Sequence, residues 1–145
     1  MGYRCDVRIG TTKKGWEFIE KMAPKYYDNY IKSSVIEREE GDCVVIKEHG
    51  IGTLYNKKLD WKPEILRTTK DGKYVEFGWD DIKWMGYDFF AIKAYREAME
   101  KSGEHCKEVC VGEDGATMEE EYNWKEDYDF PVLETYSCIN DDEWA

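Results

Sequence analysis

Between Tyr3 and Thr12 the chain changes period, and that change constrains the fold more than any other feature. Tyr3, Cys5, Val7 and Ile9 alternate with Arg4, Asp6 and Arg8, the period-two pattern of a strand with one buried and one charged face. Thr11 or Thr12 can then cap a helix with Trp16, Ile19 and Ala23 on one stripe, widened by Phe18 and Met22, until Pro24 kinks or ends the run. A strand running straight into an amphipathic helix needs a sheet on which that helix can lie, so the chain opens as a βα unit.

The same reading continues along the sequence. Tyr26, Tyr27 and Tyr30 are expected to cover the edge of the core. Cys43 to Ile46 is a short β-branched strand, Gly50 and Gly52 punctuate a turn, and Thr53 to Tyr55 pairs back as a hairpin. The polar stretches 37–42 and 57–73 read as connections, the second carrying Pro63 and the turn signal Asp71-Gly72. Tyr74 to Trp79 resumes the strand pattern. Asp88 caps a helix to Ser102, with Phe89, Ile92 and Met99 on one stripe, Ala91, Ala94, Tyr95 and Ala98 beside it, and Gly103 as its stop. Cys106 to Val111 and Val132 to Ile139 are two further strands. This order predicts an α+β domain spanning residues 1–145: a single mixed or antiparallel sheet with two helices packed on one face, in a split βαβ or ferredoxin-like order. A curved antiparallel sheet cradling the second helix is the alternative.

Composition limits where such a domain works. Apolar residues make up 41% of the chain and aromatics 15%, enough for a packed core, while a mean hydropathy of −0.79 points to a protein that folds in water. The opening residues lack the apolar core of a signal peptide, and Asp6 breaks the pattern for N-myristoylation. Five scattered cysteines (Cys5, Cys43, Cys106, Cys110 and Cys138) read as buried free thiols in a reducing compartment. The expected location is the cytoplasm, with no membrane partner.

Charge is distributed unevenly. Residues 113–145 carry 12 of the 32 acidic side chains and only one of the 21 basic ones, Lys125, so the whole net charge of −11 sits in this acidic C-terminal segment. Such a segment repels nucleic acid and attracts a basic protein surface. Tyr122, Trp124 and Tyr128 lie within it. Rings set among carboxylates suit a surface that holds a basic partner, because the rings supply contact area and cation-π interaction while the acids steer.

Side chains able to carry chemistry are few. His49 precedes a turn glycine, and His105 matches no familiar acid-base or metal spacing. Cys106 and Cys110 on one strand face stand roughly 13 Å apart by the strand rise, too far to share a metal ion. Phosphate-cradling glycine loops, dinucleotide fingerprints and nucleophile elbows do not occur. Paired carboxylates remain: Asp80-Asp81, Glu113-Asp114 and the run Glu119-Glu120-Glu121, which could hold a divalent cation against substrate phosphates. Since neighbours on a strand point to opposite faces, one member of each pair is expected at any one site. Arg4 and Arg8, on one face of the first strand, are the candidates for an anionic ligand such as a nucleotide signal. No catalytic residue, metal or cofactor is assigned.

The opener Met1-Gly2-Tyr3-Arg4-Cys5-Asp6-Val7, the segment Gly78 to Trp84, and Val111-Gly112-Glu113-Asp114 followed by Glu119 to Glu121 together resemble a group of small acidic proteins encoded by bacteriophages and prophages of low-GC Gram-positive bacteria. The resemblance covers about a fifth of the chain and brings no catalytic residue with it. Those relatives commonly carry Ser where this chain has Cys5, so a hydroxyl is not needed there. The resemblance implies an accessory protein, not an enzyme, that binds and inhibits a host defence or transcription protein, its acidic segment imitating a phosphate backbone in a groove built for nucleic acid. The alternatives from the residues themselves are a small-ligand binding protein and a metal-dependent enzyme using the paired carboxylates.

Overall fold

A computed structural model describes residues 4–48, 50–59, 62–82 and 89–126. Within them the chain is α+β, with two helices and eight strands: β1 (Cys5–Thr12), α1 (Lys13–Ser33), β2 (Ile36–Glu40), β3 (Cys43–Glu48), β4 (Ile51–Asn56), β5 (Ile65–Thr68), β6 (Tyr74–Ile82), α2 (Phe89–Lys101), β7 (Cys106–Gly112) and β8 (Thr117–Tyr122). The strands form two sheets, five-stranded in the order β5-β6-β1-β7-β8 and three-stranded in the order β2-β3-β4, and every pairing in them is antiparallel. The expected α+β class holds; the expected single sheet is replaced by two.

The first strand supplies the reason. β1 pairs with β6 on one side and β7 on the other, so Val7 stands between Trp79 and Cys110, and Ile9 between Phe77 and Glu108. Its odd-numbered residues Cys5, Val7 and Ile9 are buried and face both helices: Ile19 and Ala23 of α1 and Ile92, Tyr95, Ala98 and Met99 of α2 close one core cluster over them. Because β6 and β7 run parallel on either side of β1 and are joined through α2, they form a split βαβ unit, and β5 stands in the same relation to β1 across β6.

α1 is longer than this sheet requires. At 21 residues it extends about 30 Å, and its second half carries Tyr27 and Ile31 beyond the five-stranded sheet. There they pack with Phe90, Ala91 and Ala94 of α2 against Val44, Ile46 and Tyr55 of the three-stranded sheet. The Cys43 to Ile46 strand and its hairpin partner therefore belong to a second layer, with charged β2 at its edge. Pro24 does not end the helix. The buried stripe Ile19, Ala23, Tyr27 and Ile31 continues on both sides of it, and Pro24 itself is exposed, so the hydrogen bond it fails to donate is lost on the side where water can replace it.

Local signals place the remaining ends. Thr12 is the helix cap, its hydroxyl accepting from the Gly15 amide at 3.1 Å. Gly103 takes a left-handed conformation after α2 (φ 70°). Ala91, Ala94 and Ala98 are fully buried and let α2 approach its neighbours closely. Glu108, buried on the helix-facing side of β7, receives the Arg96 guanidinium of α2 through two bonds of 3.2 and 2.9 Å, and this pairing with Glu108 raises the Arg96 pKa. On the opposite side of the sheet fully buried Glu76 faces Arg67 across the β5–β6 ladder, with Arg67 Nε donating to Oε2 at 3.1 Å. Cys5, Cys106 and Cys110 are buried thiols and Cys43 is half-buried. The Asp88 cap, the Val132 to Ile139 strand, His49 and Cys138 lie outside the described residues.

Two substitutions test this packing. A Cβ at Gly78 would stand 1.9 Å from the Val7 carbonyl oxygen, where backbone must shift, so Gly78→Ala lowers unfolding free energy by about 3 kcal/mol or more in urea titration. Thr12→Ala removes the α1 cap and costs about 1 kcal/mol by the same measurement.

Candidate functional site

β8 is built at the edge of the five-stranded sheet. The chain turns back on leaving β7 through Gly115 (φ 83°), with the Gly112 amide donating to the Ala116 carbonyl at 2.8 Å and the Asp114 carboxylate accepting from the Ala116 amide at 3.0 Å. Asp114, singled out as a surface acid, thus shapes the turn. β8 then pairs with β7 from Val111–Thr117 to Cys106–Tyr122. Among the described residues it has no other strand neighbour, and Thr117 to Glu121 are all exposed.

The three glutamates divide between the two faces. Glu119 and Glu121 point to the face carrying Lys107, whose ammonium lies 3.8 and 3.9 Å from them, and Glu121 also meets His105 Nε2 at 3.1 Å. Glu120 pairs across the ladder with Glu108 and points to the helix side with Met118 and Tyr122. Tyr122 packs against the main core, and burial pushes its phenol up to about 12. Met118 and Trp124 remain 48% and 67% exposed. The edge therefore presents an apolar-acidic face on one side and a partly neutralised acidic face on the other.

One residue that sequence reasoning did not single out holds the end of β8 in place. Asn123 sits in the left-handed region (φ 52°) and its amide nitrogen donates to the carbonyls of Met99, Glu100 and Glu104 at 3.1, 2.9 and 3.1 Å. It thereby satisfies the open C-terminal end of α2 and turns Trp124 outward. The only sequence signal was the residue type, since Asn tolerates this conformation.

The other carboxylates gather at the far end of β1. Asp80 accepts from Arg8 at 2.7 Å. Asp81 lies in the left-handed region (φ 51°); its amide donates to the Asp6 carboxylate at 2.8 Å, and its carbonyl accepts from Arg4 at 2.9 Å. The pairing register slips there, Val7 opposite Trp79 but Cys5 opposite Ile82, a bulge that breaks the alternation. Both aspartates consequently serve the arginine side of the sheet, where strict alternation places only one. Glu113, its amide bonded to the Arg4 carbonyl at 3.0 Å, joins Arg4, Asp6 and Asp81 around a cavity of about 390 Å³.

Every candidate but Tyr128 has a described position. Asp81 and Glu113 line one cavity beside Arg4, Asp80 is tied to Arg8, and Glu119 to Glu121 lie elsewhere on the sheet edge. Arg4 and Arg8 hold aspartates. No group of three metal-ligating side chains is assembled among the described residues. Trp16 is half-buried and Trp79 buried, while Tyr128, Trp61, Trp84 and Trp144 lie outside the described residues. Comparison of the chain with protein-family models, with curated proteins and with solved structures finds no match.

Proposed function

We propose that this chain is a non-catalytic binding protein whose acidic edge, β8 with Met118 and Trp124, takes up a basic surface of a partner protein. The observation that carries this reading is the exposure of the whole edge from Thr117 to Glu121. An edge strand offers unpaired backbone groups, and charge normally protects it from its own kind; three glutamates exclude a second acidic copy while leaving a basic strand or groove welcome. Lys107 and His105 hold Glu119 and Glu121 in the free protein, and a partner's cations would replace them.

The setting that goes with this reading is a bacteriophage accessory protein in the cytoplasm of a bacterial host, inhibiting a defence or transcription protein that otherwise grips nucleic acid. The division of the glutamates between two faces limits imitation of a phosphate row on one face to Glu119 and Glu121, and Met118 and Trp124 add an apolar component. Neither alternative gains support from a specific contact. An anionic ligand at Arg8 would have to displace the Asp80 carboxylate at 2.7 Å, and a cation beside Asp81 would share the cavity with the Arg4 guanidinium, 3.8 Å from that carboxylate.

Retention of host proteins on the immobilised chain at low and then raised salt tests the proposal. Wild type is expected to hold a basic nucleic-acid-binding protein that salt elutes, and changing Glu119, Glu120 and Glu121 together to Gln lowers that affinity about tenfold or more, ~1.4 kcal/mol. Because the Lys107 and His105 partners of these glutamates are largely buried, the Tm of the variant is measured beside its binding, and a wild-type Tm separates lost binding from a folding defect. Equal retention by the variant contradicts the reading. Trp124→Ala is expected to weaken the same complex by more than about 1 kcal/mol while leaving Tm unchanged.

A further inference from the structure

The helix layer leaves the β5 side of the five-stranded sheet partly uncovered. Leu66 of β5 lies opposite Phe77 in the ladder, which places it on the helix-facing side, yet it is 52% exposed. The chain before β5 folds back over this opening, and the Trp79 indole nitrogen donates to the Lys62 carbonyl at 3.0 Å, fixing that segment. The result is a cleft of about 430 Å³ lined by Trp16, Ile19 and Ala23 of α1, Leu59 and Pro63 of the segment before β5, Leu66 of β5 and Tyr95 of α2. Its size falls in the range of small-molecule sites, which are mostly apolar with a few placed polar groups, roughly 300–1,000 Å³.

Two charged side chains complete the lining, Glu20 from α1 and Lys62 from the opposing segment. Both are exposed, and among the described ion pairs neither meets the other or any third charge. A mostly apolar lining with one anion and one cation contributed by different segments has a definite complement.

We propose that the cleft binds a small zwitterion with an aromatic or branched apolar body, the chemistry of a free amino acid such as phenylalanine or leucine. The body covers Trp16, Leu66 and Tyr95, the carboxylate meets Lys62 Nζ and the ammonium meets Glu20. A simple anion would approach against the net charge of −11 and against Glu20. A simple cation would leave Lys62 unsatisfied, and an uncharged hydrocarbon would use neither group. This site is separate from the β8 edge, and its fate does not bear on the partner-binding proposal.

Calorimetric titration of the intact protein with L-phenylalanine and L-leucine tests it, beside three controls built on the phenylalanine body: N-acetyl-L-phenylalanine amide without either charge, hydrocinnamate with only the negative one, and 2-phenylethylamine with only the positive one. Saturable binding of an amino acid is expected, with each control about tenfold weaker. Lys62→Gln should remove the advantage of L-phenylalanine over 2-phenylethylamine, and Glu20→Gln its advantage over hydrocinnamate, with Tm unchanged because both side chains are exposed. Absence of saturable binding to either amino acid at millimolar concentration overturns the proposal. So does equal binding of the charge-free control, or zwitterion binding that neither substitution affects.

Discussion

The rest of the molecule depends on the pairing of β1 with a strand on each side. A central strand bonded along both edges must offer residues that suit two neighbours and two faces at once. In β1 the odd-numbered residues pack under the helices, while Asp6 and Arg8 on the other face reach across to Asp81 and Asp80 of β6. Gly78 lets the backbone of β6 come close to Val7, a contact that would be blocked by any side chain. Because β6 and β7 are both tied to β1, the helix between them has one place to lie, and α1, which leaves β1 directly, lies beside it.

Two buried ion pairs refine that arrangement. Arg96 with Glu108 ties α2 to β7, and Arg67 with Glu76 ties β5 to β6. Taking carboxylates out of water costs much of what the pairing returns, so the larger effect is the cost of removing either arginine alone, which leaves a buried carboxylate without its cation. They also keep acidic residues inside a sheet whose outer edge is itself acidic. The charge of the described residues is thus divided by place: paired within the sheet, and in excess at β8 and the turn before it, where it is exposed.

The sequence made legible those elements that bury a face. β1, α1, the hairpin of β3 and β4, β6, α2 and β7 each show alternation or a helical stripe because each contributes to a core cluster. The missed strands, β2 (Ile-Glu-Arg-Glu-Glu), β5 and β8 (Thr-Met-Glu-Glu-Glu-Tyr), are edge strands in which charge or shortness erases the pattern, and so the polar stretches and the acidic run read as connections. Pro24 was misleading because local propensity loses to a buried stripe running past it. The second sheet was not visible because nothing in the period of α1 says that its two halves serve different layers. Of the candidate site, the acidic edge and Trp124 were legible from composition; the turning of Asp81 toward Arg4 depends on a bulge between β1 and β6 that no residue spacing announced, and the bonding of Asn123 to the end of α2 is a long-range contact that the sequence does not signal.

Native-state hydrogen exchange tests the organising role of β1 and the availability of β8 in one measurement. Amides of β1 between Val7 and Thr11 are predicted to exchange only through global unfolding, with the free energy of the whole domain, whereas those of β8 that face away from β7 exchange far faster through local opening. Exchange of β1 amides as fast as those of β8, or protection of the outward β8 amides to the global limit, would contradict this account of the fold and of its free edge.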